Sequence, residues 1–356
     1  MKKKICATCL LLIMVLLLSG CNLIPGATEE PKTQSKAFYE YFDTECVVFS
    51  YAGDTESFEE NVAYVKGELE RYHRLFDIYH GYAGVTNIYT LNKTAKQEPV
   101  EVSEELFEFL LYAKEMYTLT NGKVNVAMGR VLAIWHDTRE WVEEDPMNAV
   151  MPTEAELREA AEHTDINDLV LDEENRTVYY ADERLRLDVG ALAKGYACEK
   201  IAQGLIARGV SSYVLNFGGN IRTIGERPSG DGWTTGIRNP QKGDTPFVLR
   251  VMLKKISLVT SGDYQRYFVY DGVKYHHIID PETLYPTKHF TSVSILTESS
   301  ALADALSTAF FCMSYEEGLQ MISNLSSQGI TVDAMWVTLD GEVLMTDGFS
   351  AIVIEE

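Results

Sequence analysis

Basic residues are scarce in this 356-residue sequence, which has 31 Lys and Arg against 53 Asp and Glu and a net charge of −22. A chain this acidic does not bind nucleic acid by neutralising phosphates, so no nucleic-acid partner is expected. Cysteine is scarce as well, because three of the six lie within the first 21 residues, which leaves Cys46, Cys198 and Cys312. Three cysteines without CxxC spacing argue against a disulfide framework.

Long apolar runs are nearly absent, and the exception lies near the N terminus. Lys2 to Lys4 precede the apolar stretch Leu10 to Leu18, and Ser19-Gly20-Cys21 follows directly. This order predicts an export signal over residues 1–20, too short for a membrane-spanning helix of about 20 apolar residues. Its end resembles the lipobox of bacterial lipoproteins, so we expect Cys21 to carry acyl chains such as palmitate. The alternative is an ordinary secreted protein in which Cys21 is incidental.

A lipidated Cys21 would anchor the protein to the cell membrane, facing the periplasm or the extracellular side. Removing residues 1–20 takes away three lysines and no acid, so the net charge moves from −22 to −25. Pro25, Gly26 and Pro31 indicate a flexible tether over residues 21–36. Residues 37–356 are long enough to bury the core of one large domain.

Hydrophobic periodicity predicts helices over residues 57–76, 103–120, 193–208, 301–312 and 315–326. Short alternating segments predict strands around them, with a last strand over residues 351–354. The acidic, proline-containing residues 137–161 predict an exposed insertion with a short helix. Because strict alternation of strand and helix is absent, we expect an α+β fold with a mainly antiparallel sheet and packed helices.

The segment Asp188 to Tyr196 predicts a strand end that turns through Gly190 into a helix. Such a corner presents unpaired backbone N–H groups at the positive end of the helix dipole, which suits a pyrophosphate or a carboxylate. The segment matches neither GxGxxG nor GxxxxGK(S/T), so a plain strand-to-helix connection remains the alternative.

His276 and His277 are adjacent on a predicted strand. Neighbouring strand side chains point to opposite faces, so the two rings do not readily bind one metal ion. Alternation does not decide which of them points inward. Two ordinary strand histidines are the alternative to a functional one.

Asp304 and Thr308 lie four residues apart on a predicted helix and therefore share one face. A carboxylate and a hydroxyl suit a hard cation such as Mg²⁺, which takes its other ligands from water and substrate phosphates. Local hydrogen bonds of both side chains are the alternative. An Asp surrounded by Ala and Leu is nevertheless costly without a partner.

Together with the segments around them, these patterns resemble the ApbE family of FAD:protein FMN transferases. The resemblance covers nearly the whole exported domain, from Phe38 to Ile354. It is carried by motifs in the family's order: Asp188 to Tyr196, Asn216 to Ile221, Trp233 to Pro240, Thr260 to Phe268, His277 to Pro281 and Ala303 to Thr308. It implies a T-fold-like domain that uses Mg²⁺ to move FMN from FAD to a Thr or Ser hydroxyl of an exported acceptor, with release of AMP. The implied acceptor is an electron-transfer flavoprotein subunit or an FMN-binding domain.

The resemblance also implies roles for individual residues. The Ala191 carbonyl, Asp304 and Thr308 would bind Mg²⁺, and His277 is the candidate base or proton relay. Contacts to FAD are implied at Phe42, Tyr79, Ala127, Met128, Gly129, Asp188, Lys194 and Ile278. Two alternatives remain: a Mg²⁺-dependent FAD pyrophosphatase, in which water is the nucleophile, and a non-catalytic FAD-binding lipoprotein.

The sequence departs from the family pattern in three segments. Phe42-Asp43-Thr44 stands where the family often has Met-Gly-Thr, and Val124 to Ala127 stands where Phe-Asp-Pro-Thr is frequent. In Asp280 to Pro286, Leu284 replaces the glycine of the pattern DP-x-TG-x-P. We expect these changes to affect contacts to the isoalloxazine ring more than the metal site.

Overall fold

The computed structural model describes residues 33–51, 55–241 and 245–354. The predicted export signal, Cys21 and most of the predicted tether lie outside the described residues. Residues 33–356 form one compact unit. Within the described ranges, no helix is long and apolar enough to cross a membrane.

An eight-stranded antiparallel sheet organises the domain. The strands in chain order are β1 (Gln34–Phe38), β2 (Cys46–Ser50), β3 (Val100–Glu101), β4 (Leu169–Asp172), β5 (Thr177–Tyr180), β6 (Ser212–Phe217), β7 (Asn220–Gly225), β8 (Trp233–Arg238), β9 (Phe247–Leu253), β10 (Ser257–Gly262), β11 (Tyr267–Tyr270), β12 (Val273–His276), β13 (Phe290–Thr297), β14 (Asp333–Thr338) and β15 (Val343–Met345). The main sheet has the order β1-β2-β6-β7-β10-β13-β14-β15, while β3-β5-β4, β8-β9 and β11-β12 form smaller sheets. Every pair in the main sheet is antiparallel, which confirms the predicted fold class.

The five helices predicted from hydrophobic periodicity are present. The helices in chain order are α1 (Thr55–Phe76), α2 (Ile88–Thr94), α3 (Glu104–Leu119), α4 (Gly129–Glu144), α5 (Glu154–Ala161), α6 (Gly190–Ala207), α7 (Ser300–Phe311), α8 (Tyr315–Ser327) and α9 (Asp347–Ser350). The predicted five are α1, α3, α6, α7 and α8. In α1 the residues at three-to-four spacing, Val62, Val65 and Leu69, are buried as the period requires. The Ser314 side chain and Glu317 form a capping box that fixes the start of α8.

The α6 and α7 helices pack on each other and on the main sheet. They carry Lys194, Asp304 and Thr308, which are among the site residues predicted from the sequence. α6 contacts β6 and β7, while α7 contacts β10 and β13. Both helices contribute fully buried apolar residues to one core cluster, among them Leu192 and Ala197 of α6 and Ala303 and Phe310 of α7. Burial of this kind stabilises by about 25 cal/mol per Å² of apolar surface, so the sheet holds the two helices firmly.

Two predicted segments are wrong. Residues 137–144 belong to α4 and not to an exposed insertion, because Trp135 and Val142 bury an apolar stripe of that helix that its acidic residues conceal in the sequence. Residues 351–354 form no strand, since α9 ends at Ser350 and only Val353 makes an isolated bridge, to Val251. In addition, β1 begins at Gln34, three residues before the predicted start of the domain.

Candidate functional site

The corner before α6 positions Asp188 next to a second backbone segment. The Asp188 N–H donates to the Val126 carbonyl at 2.8 Å, and Asp188 Oδ1 accepts from the Gly190 N–H at 2.9 Å. Surrounding protein raises the pKa of this half-buried carboxyl, against the opposing effects of the Gly190 N–H, Arg186 and His136. The carboxyl therefore lies where a hydrogen-bonding ligand gains more than it would in bulk water.

The segment from Ala127 to Gly129 packs directly behind this corner. Met128 forms a parallel bridge with Arg186, and a Cβ on Gly129 would lie 2.5 Å from the Arg186 carbonyl oxygen. Glycine is thus required for this close approach. Ala127 is fully buried and Met128 is nearly so. Ala127, Met128 and Gly129, which were predicted to contact FAD, thus pack against the backbone that leads to Asp188.

Gly195 brings α6 and α7 together at Asp304. The Gly195 N–H donates to Asp304 Oδ2 at 2.7 Å, and a Cβ at this position would lie 2.3 Å from Asp304 Cβ. In a regular helix the Gly195 N–H pairs with the Ala191 carbonyl one turn earlier. The bond to Gly195 therefore brings the Asp304 carboxylate beside the first turn of α6, which carries the Ala191 carbonyl.

The donor set around Asp304 fits a hard cation. Asp304 is 4% exposed, and within the described residues its carboxylate accepts a hydrogen bond only from Gly195. A buried carboxylate without a cationic partner is costly unless it binds a metal ion or a proton. Thr308 follows one turn later on α7 and is half-buried, and the Ala191 carbonyl precedes Gly195 by one turn. A carboxylate, a hydroxyl and a carbonyl are oxygen ligands that Mg²⁺ accepts.

A second group of potential metal ligands lies on α4. Ligand atoms of His136, Asp137 and Glu140 all lie within 4.8 Å of one another. Asp137 and Glu140 are exposed, and exposed carboxylates gather on helices without a metal ion. This group includes none of the residues predicted from the sequence.

The two histidines occupy different environments, which settles the question that alternation left open. The buried His276 ring donates from Nε2 to the Thr287 carbonyl at 2.8 Å and accepts the Ile278 N–H at Nδ1. Both of its nitrogens are thus used in holding the chain. Ile278 itself is buried in the core.

His277 is exposed, and among the described residues only one of its ring nitrogens has a hydrogen-bond partner. Its Nδ1–H donates to the Arg266 carbonyl at 3.2 Å, and its backbone N–H donates to the same oxygen at 3.1 Å. Because a carbonyl only accepts, Nδ1 carries the proton and Nε2 is the unprotonated nitrogen. The surrounding protein, and then Arg266, His276 and Lys194, lower the pKa of His277, so the ring is neutral at pH 7.

Lys194 is a half-buried cation one residue before Gly195. The described part of the chain gives it neither an ion pair nor a hydrogen bond. Its charge acts on His277, which follows β12, and on Cys46, which begins β2. An unpaired lysine at the start of a helix is suited to an anionic ligand.

Phe42 and Tyr79 lie on loops. The Phe42 N–H donates to His73 Nδ1 at 3.3 Å, and the two rings meet edge to face at 5.7 Å. Tyr79 is 53% exposed with its ring 5.6 Å from that of His136. Burial and the charge of Asp188 raise the pKa of Tyr79, so this exposed ring stands near the α6 corner.

Both lost glycines stand at positions of positive φ. Asp43 has φ 53° and Leu284 has φ 66°, a region that favours glycine. The backbone thus keeps a glycine-like conformation at both positions, although each carries a side chain where the family pattern has glycine. Leu284 is buried with Trp135, whose Nε1–H donates to the Leu284 carbonyl at 2.8 Å. The Asp43 carboxylate accepts from Arg266 Nη2 at 3.0 Å.

Sequence reasoning missed Arg266 as a site residue. Its charge acts on Asp188, His277 and Tyr79, three residues that were predicted from separate motifs. Arg266 lies within the motif Thr260 to Phe268, but only the pairing of β11 with β12 brings it beside His277. No spacing along the chain indicates that neighbour.

An open pocket of about 400 Å³ lies elsewhere, between α3, α6 and the start of α7. Tyr112, Tyr196 and Glu199 line it, and it includes none of the residues described above. Glu199 is already paired with Arg222 at 3.1 Å. None of the site residues predicted from the sequence therefore lines that pocket.

The structure is that of an α+β protein in which the buried Asp304 carboxylate meets α6, the helix that carries Lys194. The ApbE family profile matches residues 42–332, and the chain belongs to that family. An FAD:protein FMN transferase of Treponema pallidum is 33% identical over 72% of both chains, and one of Klebsiella pneumoniae is 28% identical over 78% of this chain and 82% of that protein. The crystal structure of the ApbE protein from Thermotoga maritima has a TM-score of 0.78, with 27% identity over 91% of this chain and all of that one.

Proposed function

We propose that this protein is a Mg²⁺-dependent FAD:protein FMN transferase that moves FMN from FAD to a Thr or Ser hydroxyl of an exported acceptor and releases AMP. Family membership supports the flavin transfer, since several relatives carry that name. The observation that carries the chemistry is His277, whose Nδ1–H is held by the Arg266 carbonyl while Nε2 has no hydrogen-bond partner among the described residues. A neutral imidazole with one free nitrogen is a general base at neutral pH.

The chain's own residues divide the work of the reaction. Asp304, Thr308 and the Ala191 carbonyl would hold Mg²⁺, which supplies neutralisation of pyrophosphate charge when it is bound. Lys194 and the N–H groups at the start of α6 bind phosphate oxygens. The acceptor hydroxyl attacks the FMN phosphorus and gives its proton to His277 Nε2. The bond from that phosphorus to the AMP oxygen breaks, and AMP leaves with the electron pair.

Intact-mass measurement tests this proposal. The purified full chain is incubated with FAD, Mg²⁺ and an FMN-binding domain that contains an acceptor Thr or Ser. We expect the acceptor to gain the mass of one FMN with equimolar AMP release, and EDTA to abolish both. Release of AMP and free FMN without a mass gain would indicate a pyrophosphatase, and tight FAD binding without AMP release would indicate a binding protein.

We further propose that Cys21 is lipidated and holds the enzyme at the outer face of the cell membrane. The proposal is supported by the order of Lys2 to Lys4, the apolar run and Leu18 to Cys21. Two acyl signals are needed for stable anchoring, so we expect more than one chain on the mature N terminus. Labelling with radioactive palmitate, with Cys21→Ser as the control, tests this. A labelled Cys21→Ser variant would contradict it.

A further inference from the structure

We propose that Arg266 binds the phosphates of FAD and that Asp43 is its partner when no nucleotide is bound, so that FAD competes with Asp43 for the guanidinium. The inference rests on the proposed function and adds to it a residue for which the sequence predicted no role. It starts from the ion pair between Arg266 Nη2 and Asp43 Oδ2, at 3.0 Å.

The position of Arg266 follows from the β11-β12 hairpin. Tyr267 and His276 are opposite each other in the ladder, so the residues just outside it, Arg266 and His277, are also neighbours. Two hydrogen bonds from His277 to the Arg266 carbonyl, at 3.1 Å and 3.2 Å, fix this arrangement. The charge of the Arg266 side chain also acts on His277, so a phosphorus attacked by a hydroxyl bound to His277 Nε2 lies within its influence.

The charges around Arg266 favour an anion. Arg266 acts electrostatically on Asp188, His277 and Tyr79, which line different parts of the site. Lys194 is a second cation whose charge acts on His277, and it has no ion pair in the described ranges. Arg266 and Lys194 thus bring two cations to His277 in a chain whose net charge is −22, and an anionic ligand suits this position.

The pair with Asp43 is easily exchanged. The Arg266 side chain is 47% exposed and that of Asp43 is 91% exposed. Exposed ion pairs contribute little to stability, so a pyrophosphate that offers bidentate oxygens displaces the carboxylate at small cost. Asp43 stands where the family often has glycine, so the competing carboxylate is a property of this chain.

The backbone of Asp43 allows a clean test. Its φ of 53° is a left-handed conformation that Asn also tolerates, so Asp43→Asn removes the charge and leaves the loop in place. Arg266→Gln removes the guanidinium but keeps the main-chain carbonyl that holds His277. Lys200→Gln is the matched control. Lys200 lies on α6, pairs with Glu108 of α3, and has a side chain that is 36% exposed, close to the 47% of Arg266.

The experiment measures the dissociation constants of FAD and of riboflavin, which lacks phosphate, for the full chain in EDTA. We expect Arg266→Gln to weaken FAD binding about tenfold and to leave riboflavin binding unchanged. Asp43→Asn should tighten FAD binding about threefold in the wild-type background and have no effect in the Arg266→Gln background, because the carboxylate acts only through the guanidinium. Lys200→Gln should change neither constant.

Each contrary outcome identifies the proposal that fails. Equal weakening of FAD and riboflavin by Arg266→Gln, or unchanged FAD affinity, overturns the role of Arg266. An Asp43→Asn effect that persists without Arg266 shows a general charge effect and overturns the competition. Wild-type protein that binds FAD but transfers no FMN contradicts only the proposed function, while absence of FAD binding contradicts both.

Discussion

The two sides of the candidate site are built on different kinds of structure. On one side, α6 and α7 meet through Gly195 and Asp304, and both helices are embedded in the main core cluster. On the other side, loops carry the side chains, and Phe42, Asp43 and Leu284 have positive φ without being glycine. The helical side is set by packing, so small changes there should cost both fold and chemistry. The loop side is set by a few polar contacts, so changes there should affect chemistry selectively.

The largest effect is expected at Asp304 on the helical side. Asp304→Asn keeps an oxygen to accept the Gly195 N–H but loses the charge that a cation requires. We expect flavin transfer to fall roughly 10³-fold, because a metal ion supplies several kcal/mol of charge stabilisation. Transfer assays over a range of Mg²⁺ concentrations measure the loss of activity, and thermal unfolding measures the effect on the stability of the fold.

Ser307→Ala is the control on the same helix, since Ser307 is equally buried and bonds to Ser261 Oγ at 2.8 Å. It should lose about 1 kcal/mol of stability and keep its Mg²⁺ dependence. Normal transfer by the Asp304→Asn variant would contradict a metal site at the contact between α6 and α7.

His277 tests the loop side. His277→Ala should lower the transfer rate roughly 10²- to 10⁴-fold without lowering the unfolding temperature, because the exposed ring contributes base catalysis and little packing. His276→Ala is the matched control, since the buried ring makes two hydrogen bonds. It should destabilise the fold by about 1–3 kcal/mol. A reversed pattern would exchange the roles of the two histidines.

Gly195 tests how tightly the helical side is packed. In Gly195→Ala the new Cβ meets Asp304 Cβ at 2.3 Å and the Ser300 carbonyl oxygen at 2.6 Å, so the helices must move apart. We expect a loss of about 1–3 kcal/mol in the free energy of unfolding, with weaker Mg²⁺ dependence of transfer. Gly67→Ala in α1 is the control, because its new Cβ would meet no described atom within 4 Å beyond the backbone of its own helix. It should stabilise by about 1 kcal/mol, as measured by urea unfolding.

The pH dependence of transfer is a further property of the loop side. The pKa of His277 is lowered below its ordinary value of 6.5, so the base stays unprotonated and the rate stays level as the pH falls through 6.5. Arg266→Gln removes one of the cations that lower this pKa. The acid fall in rate should therefore move upward toward pH 6.5 in that variant. An unchanged pH-rate profile would contradict an electrostatic link between the two residues.

The sequence predicted the helical side of the site better than the loop side. The spacing of Asp304 and Thr308 was sufficient to place both on α7, because a helix fixes the relation of residues four apart. The histidines could not be distinguished, since β12 ends at His276 and alternation does not extend to His277. The hydrogen bonds to Thr287 and Arg266 decide their orientation, and these partners come from other parts of the chain.

Long-range contacts explain most of the rest. Asp43 and Arg266 are 223 positions apart, and no local pattern pairs them. The close approach at Gly195 depends on how two helices pack, which the motif alone does not specify. In α4, acidic residues concealed the buried stripe of Trp135 and Val142, so composition predicted an insertion where packing forms a helix. The fold class depended on many strands at once and was therefore the more secure prediction.

The smallest effect is expected at Leu284, where the loop side touches a core cluster. Leu284→Gly restores the family's glycine and relieves a left-handed leucine, worth about 1–2 kcal/mol, but it removes a buried side chain worth about 2–5 kcal/mol. Burial wins, so we expect a net loss of about 1 kcal/mol or more in urea unfolding. Arg176→Gly is the control, because Arg176 has φ 49° and is exposed, and it should stabilise slightly. If Leu284→Gly stabilises as well, Leu284 contributes no packing, and this loop is held by its backbone alone.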